Sequence, residues 1–329
     1  MRYEPAPFGH PVARQAVSAY HGGAVPAEHI VLTASTSEAY ALLFKLLGDP
    51  GDRVLVPVPS YPLFEYLAEL ESVEAAPYPS IWEDGGWFVD FAALEERLDA
   101  GTRAILVVSP NNPTGAMLRT EEADRLLGLC RDRGLALIVD EVFADHVLTE
   151  APSRVRSLVG RDDALVCVLG GLSKTCLLPQ LKAAWIAVSG PAVRRDAALT
   201  RLEVLADTYL SVNTPVQIAL PRLLALRDVI RPPLMARLAA NCHTLTQALR
   251  GSAASPLPID GGWSAVTRVP REPGEGDRVV RLLEQQGLLV HPGFFFDFPT
   301  EAFLVLSLLV PEEDFARGAA ILAADADTP

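Results

Sequence analysis

From about residue 29 the chain alternates short β-branched runs with segments of helical period, the pattern of a mostly parallel sheet flanked by helices. His29 to Leu32 reads as a first strand, Thr36 to Leu47 as a buried helix stopped by Gly48, and Arg53 to Val56 as the next strand after the turn Asp49-Pro50-Gly51. Val73 to Ala76 reads as a third. The clearest unit follows: a strand Arg103 to Val108, a helix capped by Thr120 with Glu121 and Glu122 in its first turn and Gly134 at its end, and a strand Leu135 to Val139. Leu165 to Leu169 and Ala184 to Val188 add two strands, separated by a loop that holds Ser173 and Lys174. Beyond Pro191 the pattern is long and helical to about Arg250. It then changes to Gly261-Gly262, a strand from Ser264, a helix Asp277 to Gln286, a strand Leu288 to His291, and a last strand and helix from Phe303. The expectation is an α/β large domain over 1–225 and a smaller α+β C-terminal domain over 226–329.

With 329 residues, 50% of them hydrophobic, the chain has material for two cores and is globular rather than disordered. Against 28 Lys and Arg stand 41 Asp and Glu, and the net charge of −13 repels phosphate backbones, which argues against nucleic acid as a partner. The cysteines, at 130, 167, 176 and 242, show no C-x-x-C spacing and mostly sit among apolar residues, as in a reducing compartment. The start MRYEPAPFGHP lacks the charged and apolar regions of a signal peptide. The longest apolar stretch, around Phe303 to Val310, is too short to span a bilayer, so a cytoplasmic protein with no membrane contact is expected.

Open parallel sheets place ligands at the carboxyl ends of their strands, so the residues just after each strand carry the candidate chemistry. Ser35-Thr36-Ser37 opens a helix there, and hydroxyls beside unpaired N–H groups at the positive end of a helix suit a phosphate dianion; an ordinary hydroxyl N-cap has the same look. Asp140 closes the 135–139 strand, where its carboxylate can hold a protonated ring nitrogen. The other readings are an acidic loop, or a metal cluster that adds Glu141, Asp145 and His146 and lacks a second set of ligands. Lys174 follows Gly170-Gly171-Leu172-Ser173 between two apolar strands. Partly desolvated there, its amine would have a lowered pKa and serve as a Schiff-base nucleophile, whereas a lone lysine is ordinarily a surface residue. The run Ser109-Pro110-Asn111-Asn112-Pro113-Thr114-Gly115 is more specific, because two prolines and a glycine fix a turn that presents the Asn112 amide outward.

Further motifs accompany these in order: Tyr-x-Pro-x-x-x-Gly at 3–9, Thr33 through Glu38-Ala39, Pro-Gly-Asp at 50–52, Pro-Ser-Tyr-Pro at 59–62, Asn-Asn-Pro-Thr-Gly at 111–115, Asp-Glu-Val-Phe at 140–143 and Leu-Ser-Lys at 172–174. With them the chain resembles the class I and II aminotransferases of the fold-type I pyridoxal-phosphate superfamily over essentially its whole length, as an N-terminally short member. The resemblance implies pyridoxal 5′-phosphate as cofactor and transfer of an amino group between an amino acid and a 2-oxo acid. Position by position, it implies that Lys174 forms the internal aldimine and moves the proton between Cα and the cofactor C4′. Asp140 would keep the pyridine nitrogen protonated so that the ring is an electron sink. Asn112 would hydrogen-bond the phenolic oxygen, Tyr61 would stack on the ring, and Thr36, Ser37 and Ser173 would bind the phosphate. The tyrosine matching Tyr3 reaches the partner subunit's phosphate in this family, so a homodimer with a shared active site is implied.

The chain also departs from the pattern. Lys182 stands where most relatives have an arginine, which keeps a positive charge beside the phosphate but loses bidentate geometry. Phe143 replaces a tyrosine that often bonds the phenolic oxygen, and Gly171 a hydroxyl residue. Val305 occupies the position of the arginine that clamps the substrate carboxylate, a contact whose loss typically costs several kcal/mol of binding. That loss, with a start at the Tyr-x-Pro segment, predicts an open or reshaped substrate pocket, and Phe294-Phe295-Phe296 either lines it or belongs to the small-domain core. The same departures leave a second activity open on this cofactor: lyase, cyclising or substitution chemistry in a specialised biosynthetic pathway. A retired binding protein has no need for Lys174, Asp140, Asn112 and Tyr61 together, and no dinucleotide, nucleophile-elbow or Walker motif is present.

Overall fold

The computed structural model describes residues 4–83 and 85–327, so Tyr3 and Arg2 lie outside the described residues. Eight strands form the main sheet: β1 (Ile30–Thr33), β2 (Arg53–Val58), β3 (Glu74–Glu83), β4 (Gly86–Val89), β5 (Thr102–Val108), β6 (Ala136–Asp140), β7 (Leu165–Gly171) and β8 (Ala184–Ser189). Their spatial order is β1-β8-β7-β6-β5-β2-β3-β4. The stretch from β7 to β3 is parallel, and antiparallel pairings add β8 and β1 at one edge and β4 at the other. The mostly parallel α/β sheet expected from the pattern is therefore present.

Every residue of β6, β7 and β8 is buried, which requires cover on both faces and explains why these strands read as continuous apolar runs. Strand period divides them between two layers. Leu137, Val139, Val166 and Val168 join Leu126 and Cys130 of the helix Thr120–Arg133. Ala136, Ile138, Cys167 and Leu169 join Tyr40, Leu43 and Phe44 of the helix Thr36–Leu47. Asp140 continues the second set, so the alternation itself aims its carboxylate at the Thr36–Leu47 helix. Strand order reverses between β5 and β2, because the chain steps outward to β3 on one side and to β6 and β7 on the other. A crevice outside the carboxyl ends at such a reversal is where sheets of this type bind ligands.

A second sheet of short antiparallel strands follows: β9 (Ser255–Pro256), β10 (Ser264–Arg268), β11 (His291–Pro292) and β12 (Phe303–Ser307), in the order β11-β12-β10-β9. The helices Arg227–Ala248, Glu275–Gln286 and Glu312–Ala326 cover it and share a separate core around Leu238, Leu245, Leu282, Leu304 and Leu322. Several boundaries differ from the sequence expectation. Thr120 is the first helical residue rather than the cap; Arg119 holds the cap position, and its N–H donates to Glu122 at 2.8 Å. Leu288 to Val290 do not pair, because Gly287 turns at φ +64° and the Leu288 N–H closes back on Leu282 at 3.0 Å, so pairing starts at His291. The third strand runs on to Glu83, where Gly85 turns it into a hairpin with β4.

Asp260 fastens the second sheet to the first. Its carboxylate meets the Arg154 Nε at 3.0 Å and accepts from the Met117 N–H at 3.1 Å, and its carbonyl accepts from Leu148 and Thr149. Gly115 lies beneath this joint at φ +69°, where a Cβ would stand 2.4 Å from Ile259 Cγ1 and 2.6 Å from the Gly261 carbonyl oxygen. Only glycine fits both the backbone conformation and the space. Among the described residues all cysteines are free thiols, and no helix is long and apolar enough to cross a membrane. Gly115→Ala is expected to cost about 2–4 kcal/mol in urea denaturation, from left-handed strain and overpacking together; a stability equal to that of the native chain would show that the joint yields.

Candidate active site

The turns after β5, β6 and β7 are brought level by register, since Val108 pairs with Asp140 and Asp140 with Leu169. They surround a cavity of about 220 Å³. Ser35, Thr36, Ser37, Tyr61, Asn112, Asp140, Phe143, Ser173 and Lys174 all line it, so the residues singled out from the strand ends converge in space. Lys182 does not: it turns out of the short helix Pro179–Leu181 at φ +52° with an exposed side chain, outside the cavity lining.

Lys174 sits on a single helical turn, Leu172–Thr175, directly after β7. The glycines before it are steric requirements. A Cβ on Gly170 would lie 2.7 Å from the buried Trp185 ring, and one on Gly171 would lie 2.9 Å from Ala184 Cβ. The Lys174 Nζ lies 4.8 Å from the Trp263 ring centroid and 5.9 Å from that of Phe143. Burial lowers its pKa, and the charge of Asp140 acts in the opposite direction. A lowered pKa makes the neutral, nucleophilic form of the amine easier to reach.

Asp140 is 7% exposed, and its Oδ1 accepts from the Val142 N–H at 3.0 Å while Oδ2 accepts from the Tyr40 hydroxyl at 2.6 Å. Burial raises its pKa, against the two donors and the nearby Lys174 charge. Asn112 reaches the cavity because its neighbour does the structural work in the turn. Asn111 Oδ1 accepts from the Thr114 hydroxyl at 2.9 Å, and its amide donates to Ser60 at 3.3 Å. Tyr61 lines the wall beside Phe64, at 5.9 Å between ring centroids in an edge arrangement.

The helix Thr36–Leu47 opens on the cavity with Ser35 as cap, whose hydroxyl accepts from the Glu38 N–H at 3.2 Å. The hydroxyls of Thr36, Ser37 and Ser173 make no hydrogen bond to described residues, so they and the helix N-terminus form a cradle for an anion.

Tyr40 and Trp263 were missed by the sequence reading. Tyr40 lies one helical turn past Thr36, a spacing that in retrospect points it to the same side. Trp263 comes from the start of β10 and carries no local signal. Gly261 and Gly262 press it inward: a Cβ on Gly261 would meet the His146 carbonyl at 2.7 Å, and the Gly262 N–H donates to that carbonyl at 2.8 Å. Its ring packs edge-on to Phe143 at 4.9 Å and against buried His146 at 5.7 Å.

Val305 is buried opposite Val266 in an apolar cluster with Trp87 and Phe298, away from the cavity. Arg14 is taken up by the Gly9 and Ala27 carbonyls, and Arg268 is exposed on β10. Among the described residues, Lys174 is the one cationic side chain in the lining. Phe294, Phe295 and Phe296 are not part of it; the first two are half exposed, and the Phe296 carbonyl accepts from the Ser60 N–H at 3.0 Å. Asp145 and His146 face apart, the former toward the Tyr20 hydroxyl at 3.0 Å and the latter toward Trp263.

A family model described as aminotransferase class I and II matches residues 3–322. The chain belongs to this family. Class I and II relatives include nicotianamine aminotransferase 1 of Oryza sativa subsp. japonica, 30% identical over 228 residues that make up 67% of this chain and 45% of that protein. Another is alanine aminotransferase of Mycobacterium tuberculosis (strain ATCC 25618 / H37Rv), 30% identical over 209 residues, 62% of this chain and 48% of that one. The chain thus spans about half the length of the curated relatives it matches. Solved structures share the fold. Alanine aminotransferase from Pyrococcus furiosus superimposes with a TM-score of 0.88 at 23% identity, over 98% of this chain and 83% of that one. Tyrosine aminotransferase from Leishmania infantum gives 0.88 at 20% identity, over 99% and 83%.

His146 yields a pH prediction. Burial, with Arg231 and Lys174 nearby, lowers its pKa to about 4, and burial lowers that of His21 to about 4. Between the unfolded value near 6.5 and the folded value, the unfolded chain binds more protons, so stability must fall as pH drops through that window. Each residue contributes at most roughly 3 kcal/mol. In denaturation series between pH 7 and 4, His146→Leu should flatten the slope in part, with His21 supplying the remainder; an unaltered slope would place the His146 titration elsewhere.

Proposed function

We propose that the protein is an aminotransferase that uses pyridoxal 5′-phosphate to move an amino group between an amino acid and a 2-oxo acid. The carrying observation is that one cavity brings a desolvated lysine amine, a buried carboxylate, an outward amide, an aromatic wall and an anion cradle together. That donor set matches an aromatic aldehyde bearing a phosphate, a phenolic oxygen and a basic ring nitrogen. When bound, such a group supplies an electron sink for charge developing on a substrate carbon.

The chain's own residues divide the remaining work. The Lys174 amine would hold the aldehyde carbon and, when free, would take or return the proton at the substrate Cα. Asp140 holds the ring nitrogen's proton, Asn112 donates to the phenolic oxygen, and the Tyr61 ring covers one face. Thr36, Ser37 and Ser173 take the phosphate at the helix N-terminus. Trp263 and Phe143 close the lysine side against water. Phe143 leaves the phenolic oxygen with one donor fewer.

We further infer a homodimer, which the exposed Tyr66 and Leu70 on the helix Phe64–Leu70 beside the cavity support, and a cytoplasmic location, which the buried free thiols suit. The separate core of the second sheet supports a division of the chain near residue 225.

Lys174→Ala should abolish the visible absorbance of the lysine-bound cofactor and leave far-ultraviolet circular dichroism unchanged; a variant that stays yellow and active refutes the assignment. Asp140→Ala should keep some cofactor and lose turnover by about 100-fold or more. An amino acid added alone to the loaded protein should bleach the visible band and release the matching 2-oxo acid in equal amount. Product release with the band intact would mean elimination or substitution instead.

A further inference from the structure

We infer that Tyr40 is a positioning residue that keeps the proton shared between Asp140 and the cofactor's pyridine on the ring nitrogen. The inference rests on the reading of the cavity as a pyridoxal-phosphate site. The Tyr40 phenol is 2% exposed and donates to Asp140 Oδ2 at 2.6 Å, a short bond of the kind a phenol makes to a charged oxygen. Its ring is held between Phe44 and Phe64, at 6.0 and 5.3 Å. For packing alone, leucine or phenylalanine would fill this place in the helix Thr36–Leu47 without burying a hydroxyl. Among the described residues the oxygen is compensated by a single partner, and that partner is the carboxylate facing the cavity.

A proton between a carboxyl and a pyridine has two resting places. On oxygen the pair is neutral; on nitrogen it is an ion pair. Burial alone favours the neutral arrangement, because it penalises both charges. Donors on the carboxylate oppose that preference by stabilising the anion. Asp140 has two of them, the Val142 N–H on Oδ1 and the Tyr40 hydroxyl on Oδ2, and each oxygen keeps a lone pair for the ring nitrogen's proton.

The other ionisable groups around it act differently. Lys174 and Tyr61 face Asp140 across the cavity without a hydrogen bond to it. Glu141, next in the chain, is turned to the Ser157 hydroxyl and the Leu158 N–H at 2.6 and 2.7 Å. Tyr40 is the side-chain donor through which substitution can shift the proton without touching the backbone.

The test loads the native protein and Tyr40→Phe with pyridoxal phosphate carrying nitrogen-15 in the ring, and follows the nitrogen resonance from about pH 5 to 9. The native protein should show the protonated-nitrogen position. Tyr40→Phe should still show the visible band, with its nitrogen resonance moved toward that of a neutral pyridine and its titration midpoint lowered by about one pH unit or more. Placing 3-fluorotyrosine at position 40 keeps the packing and makes the phenol a stronger donor, so its midpoint should stay at or above the native one. An unchanged resonance in Tyr40→Phe overturns the inference, as does weaker cofactor binding with no change in the resonance, which marks Tyr40 as a packing residue. A native protein that takes up no pyridoxal phosphate on Lys174 fails the underlying reading first, and is recognised before any variant is compared.

Discussion

Burying a carboxylate at the end of a parallel strand is the constraint around which the rest of this molecule is arranged. Asp140 continues the inward set of β6, so the alternation that builds the core also carries a charge out of water. An uncompensated carboxylate there would be costly, and it would take up a proton to relieve that cost. The backbone of Val142 and the phenol of Tyr40 offset part of the penalty, and the Lys174 ammonium contributes over a longer distance. The remaining acceptor capacity faces the cavity, and it explains why a cationic ring nitrogen is the natural complement.

The lysine is the mirror case. It lies beside the Trp263 and Phe143 rings with no carboxylate among the described residues in direct contact, and burial lowers its pKa against the charge of Asp140. An acid and an amine, each with its own preference for a partner, are thus held in one space by strand register and two close-packed glycines. The helix N-terminus beside Ser35 adds a third preference, for an anion. Few small molecules satisfy all three at once.

Much of this was legible in the chain itself, and the reason is geometric. In a parallel sheet the turn after each strand is near the turn after its neighbour, so Asn112, Asp140 and Lys174 could be placed near one another from strand ends, while their roles came from the resemblance. The alternation of apolar runs with helical period was enough for the main sheet. Tyr40 and Trp263 were not legible, because each reaches the site through packing between elements distant in sequence. Lys182 was placed by spacing from Lys174; in the structure it is exposed, in a left-handed turn after Pro179–Leu181. The Phe294 to Phe296 run resembled pocket lining by composition, and its place beside Ser60 depended on how the two sheets dock. Strand ends such as Leu288 to Val290 failed for a local reason, since a helix cap and a strand compete for the same apolar residues.

The Trp263 wall beside Lys174 belongs to a different stretch of chain from the cavity floor of Asn112, Asp140 and Lys174. An exchange of the C-terminal third between related sequences would therefore replace the Trp263 wall and leave Asn112, Asp140 and Lys174 in place. Among the conditions such a graft must meet is a carboxylate at position 260, because Arg154 and the Met117 amide are already committed to receiving it. The wall of the cavity is thus exchangeable apart from its floor, provided that the latch comes with it.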